Sequence, residues 1–271
     1  MAERRTVNPL VVGSSPTLGA MKITDDMNDH VMKVMNGEYN VPYNAINPVI
    51  LDIGANIGSF TRWASARWKG ANIHSYEPMP ETYALLVENT DDLPNVRTHN
   101  VAVGAENTNK LMFKGLHNIG ESSLFQIGEQ SDETVQISMI KAQELPQAHI
   151  VKIDTEGAEV EILENLGFQP HVVMLEYHSE AKRRRVDELL IHYKLVKSET
   201  KIPNRGVLIY VHKQLLPDPP EVAAESTNKV NKINKVNKPK KAKKPAMSPS
   251  KKVAKKPAKK TAKKSIKRSP R

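Results

Sequence analysis

Three acidic residues in this sequence stand at the ends of hydrophobic runs, where a sheet would present them to a ligand. Asp52 lies within the run 49–53, and Glu77 and Asp154 each directly follow another such run. A buried carboxylate is costly unless it is hydrogen-bonded or ion-paired, so each acid is expected to cap a turn or to hold a ligand. Because parallel strands present their carboxyl ends at one edge, we expect the three carboxylates to face a shared cleft.

A glycine turn follows the first of these acids. Gly54 and Gly58 separate the strand from a helix predicted over 59–68, a construction that commonly holds nucleotide-like ligands. The pattern D-x-G-x-N-x-G has Asn56 where a dinucleotide fingerprint has its middle glycine. It resembles the first motif of S-adenosylmethionine-dependent methyltransferases, acid-x-G-x-G-x-G. An ordinary strand-to-helix turn would also contain these residues.

The second acid has the spacing of a ribose-binding residue. Glu77 lies about 20 residues beyond the glycine turn, where α/β nucleotide folds place an acid that accepts hydrogen bonds from ribose hydroxyls. A solvated glutamate at a strand end would occupy the same position. The combination with the glycine turn favours the ribose role.

The elements that must position these groups alternate along the chain, which predicts an α/β fold. Short apolar runs indicate buried strands, segments with helical periodicity lie between them, and two alternating runs close the domain. Residues 111–139 contain shorter runs that predict a small β excursion. The predicted strands are 49–53, 72–77, 96–103, 149–154, 172–178, 195–199 and 206–212, and the predicted helices are 31–35, 59–68, 81–89, 159–166 and 180–192.

The 271 residues carry a net charge of +10, distributed very unevenly. Nineteen of the 40 basic residues, and none of the 30 acidic ones, lie between Ser226 and the end. The preceding residues therefore hold 21 bases and 30 acids. Lysine repeats with few apolar residues cannot form a core, so we predict that 218–271 is disordered. We expect the 228–271 tail to bind nucleic acid or another polyanion; a solubilising extension is the alternative.

Several classes of protein are excluded by composition. The chain has no cysteine, so it has no disulfide frame, thiolate metal site or cysteine nucleophile. Residues 1–20 are predicted to be a flexible leader, with Met21 as an alternative start, and the folded domain is expected to span 21–217. No apolar run has the length of an export signal or a membrane span, so we expect an intracellular, cytoplasmic protein, or a nuclear one in a eukaryotic host.

Five segments carry a more specific pattern, and they are 50–58 (ILDIGANIG), 76–78 (YEP), 100–104 (NVAVG), 118–123 (NIGESS) and 151–159 (VKIDTEGAE). In order and spacing they resemble the FkbM-type methyltransferases over residues 36–178. That resemblance implies an S-adenosylmethionine-dependent O-methyltransferase, many of which act on hydroxyls of sugars or secondary metabolites. It implies a class I Rossmann-like sheet of seven strands, with the parallel order 3-2-1-4-5 and an antiparallel pair at the end. The family pattern includes neither the leader nor the lysine-rich tail.

Seven residues are assigned to the cofactor on this basis. Asp52 has two open roles, because it could bind the amino group of the methionine part or support the turn. The others are Gly54, Asn56 and Gly58 around the methionine part, Glu77 at the ribose, and Asn100 and Val101 along the adenine.

Methyl transfer to a hydroxyl requires that the acceptor oxygen is aligned with the methyl group and that a proton is removed. We expect Asp154 to be the general base or to orient the acceptor. Glu156, Glu176 and His178 are the alternatives, and His178 is the one that ordinarily titrates near neutral pH. Asp154 with Glu176 or His178 could instead hold a divalent metal ion, although no metal is expected.

The sequence lacks residues that two classes of methyl acceptor require, which restricts the possible acceptors. A thiolate mechanism at cytosine C5 needs a cysteine, and Asp-Thr-Glu-Gly stands where methylation of the adenine amino group normally uses Asn/Asp-Pro-Pro-Tyr/Phe. A hydroxyl acceptor remains, on a sugar, a glycan, a small metabolite or a ribose. The polar loop with Asn118, Ser122 and Ser123 could contact it, or could be a plain hairpin turn. The alternative function is a polyanion-binding protein with a vestigial methyltransferase fold.

Overall fold

The computed structural model describes residues 21–23, 28–115, 122–124 and 130–216. The predicted leader, the lysine-rich tail and Asn118 lie outside these ranges, so the expectations about them stay predictions.

Ten strands and five helices alternate along the described chain, as the sequence predicts for an α/β protein. The strands are β1 Val49–Ile53, β2 Asn72–Tyr76, β3 Val96–His99, β4 Ala102–Gly104, β5 Thr108–Gly115, β6 Gln130–Lys141, β7 Ile150–Ile153, β8 Val172–Tyr177, β9 Tyr193–Ile202 and β10 Arg205–His212. The helices are α1 Asn28–Met35, α2 Ser59–Arg67, α3 Pro80–Thr90, α4 Glu159–Asn165 and α5 Glu180–Leu189.

The main sheet has seven strands in the order β3-β2-β1-β7-β8-β10-β9. The first five are parallel, and β10 runs antiparallel to both β8 and β9. This confirms the predicted class I Rossmann-like sheet of seven strands with an antiparallel pair at its end, and β10 is the one strand of the sheet that runs against the others. The strand order reverses between β1 and β7, and open α/β sheets bind ligands at that point, outside the carboxyl ends of the strands.

Apolar side chains cover both faces of this sheet. Leu51 and Ile53 of β1 belong to one buried cluster, and Ile50, which precedes Leu51 and points to the opposite face, belongs to the other. Each buried aliphatic side chain contributes about 1.5–3 kcal/mol to the free energy of unfolding. The helices complete the two clusters, with Ile162 of α4 and Val186 of α5 on the first face, and Val34 of α1 and Phe60 and Trp63 of α2 on the second.

The predicted strand 96–103 is wrong as a single element. It is divided at Asn100 into β3, which belongs to the main sheet, and β4, which pairs with β6 in a separate sheet of order β4-β6-β5. The Asn100 amide donates hydrogen bonds to the carbonyl oxygens of Glu77 (2.9 Å) and Pro78 (3.0 Å). These bonds tie the chain to the loop after β2, and it leaves the main sheet there.

The predicted β excursion is confirmed by this three-stranded sheet. β5 and β6 pair antiparallel, and Ser123 forms an additional bridge with Phe113 of β5. The bridge brings Ser122 and Ser123 to the carboxyl edge of the main sheet. Within the described ranges, no helix is long and apolar enough to cross a membrane.

Candidate active site

The glycine turn after β1 has a backbone that restricts its residues. Gly54, Asn56 and Gly58 have φ angles of 77°, 51° and 92°. A Cβ on Gly54 would lie 1.8 Å from the carbonyl oxygen of Asp154. The turn therefore passes over the end of β7 at a distance that only glycine permits.

A buried ion pair supports this turn from below. Asp52 has no exposed surface, and its carboxylate accepts a 2.7 Å hydrogen bond from the Thr61 hydroxyl. Its other oxygen lies 3.3 Å from Lys152 Nζ, which donates a 2.7 Å hydrogen bond to the carbonyl oxygen of Gly54. The expectation that Asp52 faces the cleft is wrong. Of its two open roles, the geometry supports that of holding the turn.

A cavity of about 340 Å³ opens at the carboxyl ends of β1, β2, β7 and β8. This size falls in the range of small-ligand pockets. Of the residues predicted from sequence, eight line it: Gly54, Asn56, Glu77, Val101, Ser122, Asp154, Glu156 and Glu176. Five do not, and they are Asp52, Gly58, Asn100, Ser123 and His178.

Three of the residues outside the cavity support it. Gly58 precedes α2 and packs against Leu86 and Thr90 of α3. The Asn100 amide fixes the loop that carries Glu77. The Ser123 hydroxyl donates a 2.6 Å hydrogen bond to the carbonyl oxygen of Glu156.

Glu77 lies at the β2 end of the cavity. Its two carboxylate oxygens accept hydrogen bonds from the backbone N–H groups of Asn56 (3.0 Å) and Met79 (2.9 Å). Burial outweighs these bonds and raises the pKa of Glu77 to about 7. The side chain is therefore poised to change its protonation state near neutral pH.

Asp154 lies at the β7 end, where its carboxylate is 3.7 Å from Lys152 Nζ. Burial alone would raise the pKa of Asp154, but the charges of Lys152 and His178 hold it below its usual value. Asp154 is thus an ionised and weakly basic carboxylate. It can accept a hydrogen bond and stabilise a nearby positive charge.

His178 is enclosed between two carboxylates. Its Nδ1 is 2.8 Å from Glu159 Oε1, its Nε2 is 3.0 Å from Glu156 Oε2, and its side chain has no exposed surface. Burial alone would lower the pKa of His178, but Glu156 and Glu159 raise it to about 10. The ring is an imidazolium at neutral pH, which leaves it unable to accept a proton.

Two cations that the sequence analysis missed come from the β9–β10 hairpin. Lys201 Nζ lies 2.6 Å from Glu176 and 3.0 Å from Glu38, and Arg205 lies 2.9 Å from Glu156. Lys201 and Arg205 line the cavity together with Asp29, His30 and Lys33 of α1. No motif or spacing marks these five residues, because only the fold brings them to the edge of the sheet.

Asp154, Glu156 and His178 offer one metal-ligand atom each within 4.8 Å of one another. A divalent ion there would have to displace the contacts of Glu156 with Arg205 and His178. In the structure the group is an ion-pair cluster.

A family model of the methyltransferase FkbM domain matches residues 52–193. The chain belongs to this family. FkbM membership confirms the resemblance in the sequence motifs and makes the chain a methyltransferase, and the matched segment contains both the glycine turn and Asp154.

Relatives of this FkbM protein are distant. The hexuronic acid methyltransferase AglP of Haloferax volcanii is 27% identical over 164 residues, which is 57% of this chain and 66% of that protein. Methyltransferase 1 of Beauveria bassiana is 24% identical over 43% of this chain and 57% of its own length. Each match spans less than two thirds of the relative. Aeropyrum pernix fibrillarin, solved with natively bound S-adenosyl-L-methionine, has a TM-score of 0.42 and 11% identity, over 68% of this chain and 74% of that chain.

The cavity of the FkbM domain contains polar atoms that a bound ligand could satisfy. Among the described residues, Asn56 Oδ1 and Thr155 Oγ1 are buried polar atoms without a hydrogen-bond partner, and both residues line the cavity. Buried polar atoms are normally satisfied, so these two atoms indicate a ligand with polar groups of its own. An amino-acid moiety beside the glycine turn would satisfy them.

Proposed function

We propose that this chain is an S-adenosylmethionine-dependent O-methyltransferase whose acceptor is a hydroxyl of a sugar, a glycan or a small metabolite. The observation that carries the proposal is that Gly54, Asn56, Glu77 and Asp154 line one cavity. The first three are suited to the cofactor, and Asp154 lies where an acceptor would meet it.

The cofactor would lie along the β1 and β2 ends of the cavity. Gly54 and Asn56 would contact its methionine part, the Glu77 carboxylate would accept hydrogen bonds from its ribose hydroxyls, and Val101 would pack along its adenine. When bound, S-adenosylmethionine supplies an electrophilic methyl group with a neutral thioether as leaving group. The residues of the chain would align the acceptor oxygen with that methyl group and take up the proton of the acceptor hydroxyl.

The opposite end of the cavity favours a polyhydroxylated acceptor. The carboxylates of Asp154, Glu156 and Glu176 can accept hydrogen bonds from hydroxyls, and Lys201 and Arg205 can donate to ring or hydroxyl oxygens. Glu176 is paired with Lys201 and Glu156 with Arg205, so their charges are already compensated. This surface is therefore suited to hydrogen bonds with neutral polar groups. The hexuronic acid named for AglP is a polyhydroxylated sugar that also carries a carboxylate.

The proposal is tested with the full-length protein and methyl-labelled S-adenosylmethionine. Label is followed by mass spectrometry in hexuronic acids, neutral sugars, oligosaccharides and a metabolite extract. The proposal expects label in a methyl ether. Label in amines alone would contradict O-transfer, and a protein that binds the cofactor but labels none of these pools would contradict the acceptor class.

The tail supports a second activity, the binding of polyanions. Residues 228–271 carry all 19 tail bases and no acid, which is the composition of a counterion-releasing polycation. Fluorescence anisotropy of the full chain with a labelled single-stranded DNA should show affinity that falls steeply between low and physiological salt. A chain that binds DNA but gives no heat with S-adenosylmethionine would favour the alternative of a vestigial methyltransferase fold.

A further inference from the structure

The acceptor end of the cavity needs a group that can take up a proton, and its carboxylates are poorly suited to this. A general base is most effective when its pKa lies near the working pH. Asp154 is held ionised by Lys152 and is weakly basic. Glu156 is engaged by Arg205 and Glu176 by Lys201, and the imidazolium of His178 lies outside the cavity.

His30 is an imidazole that lines the same cavity. It lies in α1 and is half-buried, and it lines the cavity together with Asp29 and Lys33 of the same helix. Val31 and Val34, one and four residues after His30 in the same helix, have no exposed surface. Their burial fixes the face of α1 that is turned to the cavity, so His30 is held on a rigid element.

Charged groups from three other parts of the chain act on this ring. They are Asp154 and Lys152 of the β7 segment, Glu38 after α1, and Lys201 of β9. Burial lowers the pKa of His30, Lys152 and Lys201 lower it further, and Asp154 and Glu38 oppose them. His30 in turn contributes to lowering the pKa of Asp154, so the two groups interact across the cavity.

We propose that His30 is the general base of methyl transfer, and that Asp154 stabilises its imidazolium form. This rests on the function proposed above. As the bond between the acceptor oxygen and the methyl carbon forms, the carbon–sulfur bond breaks and its electron pair stays on sulfur. The hydroxyl proton passes to the neutral imidazole and then to solvent. Asp154 is then not the general base; of the two roles expected from sequence it keeps that of orienting the acceptor, and it adds electrostatic support to His30.

The first test uses NMR of the full-length protein and needs no acceptor. The imidazole signals are titrated in the wild type, in Asp154→Asn and in His30→Gln, which assigns the His30 signal. We expect the wild-type ring to titrate below the usual histidine value of 6.5, and lower still in Asp154→Asn, because a stabilising negative charge is lost. A His30 ring that titrates above 7, or one that does not respond to Asp154→Asn, would overturn the proposal.

The second test measures single-turnover formation of a methyl ether from labelled S-adenosylmethionine and methyl glucuronide as the probe, across about pH 4.5 to 8. His30→Gln should slow transfer at neutral pH by about 100-fold or more and lose the rise in rate through the histidine pKa. Cofactor affinity should be unchanged. The control is His192→Gln, since His192 is exposed and lies outside the cavity. His30→Gln at wild-type rate would overturn the proposal, and a wild type that binds no cofactor would instead overturn the proposed function.

Discussion

The ammonium of Lys152 lies 3.3 Å from the carboxylate of Asp52, and both side chains are withdrawn from solvent. Burial opposes the charge on Lys152, yet its pKa is raised because Asp52 and Asp154 favour the charged form. Through Lys152 Nζ the pair reaches the carbonyl oxygen of Gly54. Asp52 thus supports the glycine turn through Lys152, which lies two residues before Asp154 in the chain.

Removing one member of this pair should be strongly destabilising. Lys152→Met leaves Asp52 buried without compensation, which should lower the free energy of unfolding by about 3–5 kcal/mol. Urea denaturation measures the loss. The double variant Asp52→Leu with Lys152→Met should recover most of it, because no buried charge remains.

A surface pair provides the control for that experiment. Lys110 lies 3.4 Å from Glu106 and both side chains are exposed, so Lys110→Met should cost less than about 1 kcal/mol. A Lys152→Met protein as stable as Lys110→Met would contradict the supporting role of the pair.

Glu77 should link cofactor binding to pH. Ribose hydroxyls donate to the ionised carboxylate, so binding should strengthen as pH rises through the pKa of about 7. Calorimetric titration with S-adenosylhomocysteine should give an affinity about tenfold weaker at one pH unit below that pKa. Glu77→Gln should bind weakly with little dependence on pH. Equal wild-type affinities on both sides of the pKa would contradict the ribose role.

In the unliganded protein, Glu77 should make the free energy of unfolding fall as pH rises, the opposite of its effect on cofactor binding. The folded-state pKa of Glu77 is raised from 4.5 to about 7, so ionisation costs more in the folded state than in the unfolded state. The free energy of unfolding contributed by this group should therefore fall as pH rises between these values and then level off. Glu77→Gln should lack this decrease in urea denaturation.

His178 should stabilise the fold in a pH window set by its two carboxylate partners. Its pKa is raised from 6.5 to about 10, so its contribution is complete below 6.5 and is lost as pH rises through 10. Between these values the free energy of unfolding should fall by about 1.4 kcal/mol per pH unit. His178→Gln should remove this slope and leave Glu159 buried without a cation, whereas the exposed His192→Gln should behave as the wild type. A wild-type stability that is flat over this window would contradict the imidazolium assignment.

Asp154 should be needed for transfer more than for cofactor binding. Asp154→Asn keeps the shape of the side chain and its backbone contact with the turn, so we expect cofactor affinity within a few-fold of wild type. The rate of transfer should fall by about 100-fold or more, because the negative charge at the acceptor is lost. Single-turnover measurements with saturating cofactor separate the two effects. Normal transfer by this variant would end the assignment.

Much of the fold could be predicted because its central strands are unambiguous. The run 49–53 contains only one polar residue and is followed by a glycine turn, and the runs at β7 and β8 have the same character. Buried parallel strands have this pattern, and their order followed from the resemblance to a known family. The run 96–103 is equally apolar in its second half, but the division at Asn100 depends on side-chain contacts with a distant loop.

The residues that line the cavity were predicted only where they belong to a motif or stand at the end of an apolar run. Gly54, Asn56, Glu77 and Asp154 were found because each follows a strand at a fixed spacing. The choice between the two open roles of Asp52, and the enclosure of His178, could not be found in this way, because they depend on burial and on partners such as Lys152 and Glu159. His30 and Lys201 come from segments far apart in the chain, and only the folded sheet places them in the cavity.

The most direct test of this account is a calorimetric titration of the full-length protein with S-adenosylmethionine, beside Gly54→Ala and Gly167→Ala. The account predicts one cofactor per wild-type chain and loss of binding in Gly54→Ala, since a Cβ there meets a backbone oxygen at 1.8 Å. Gly167→Ala, whose Cβ would meet its nearest atom at 3.3 Å, should still bind. A wild-type protein that is folded and does not bind S-adenosylmethionine would contradict the account.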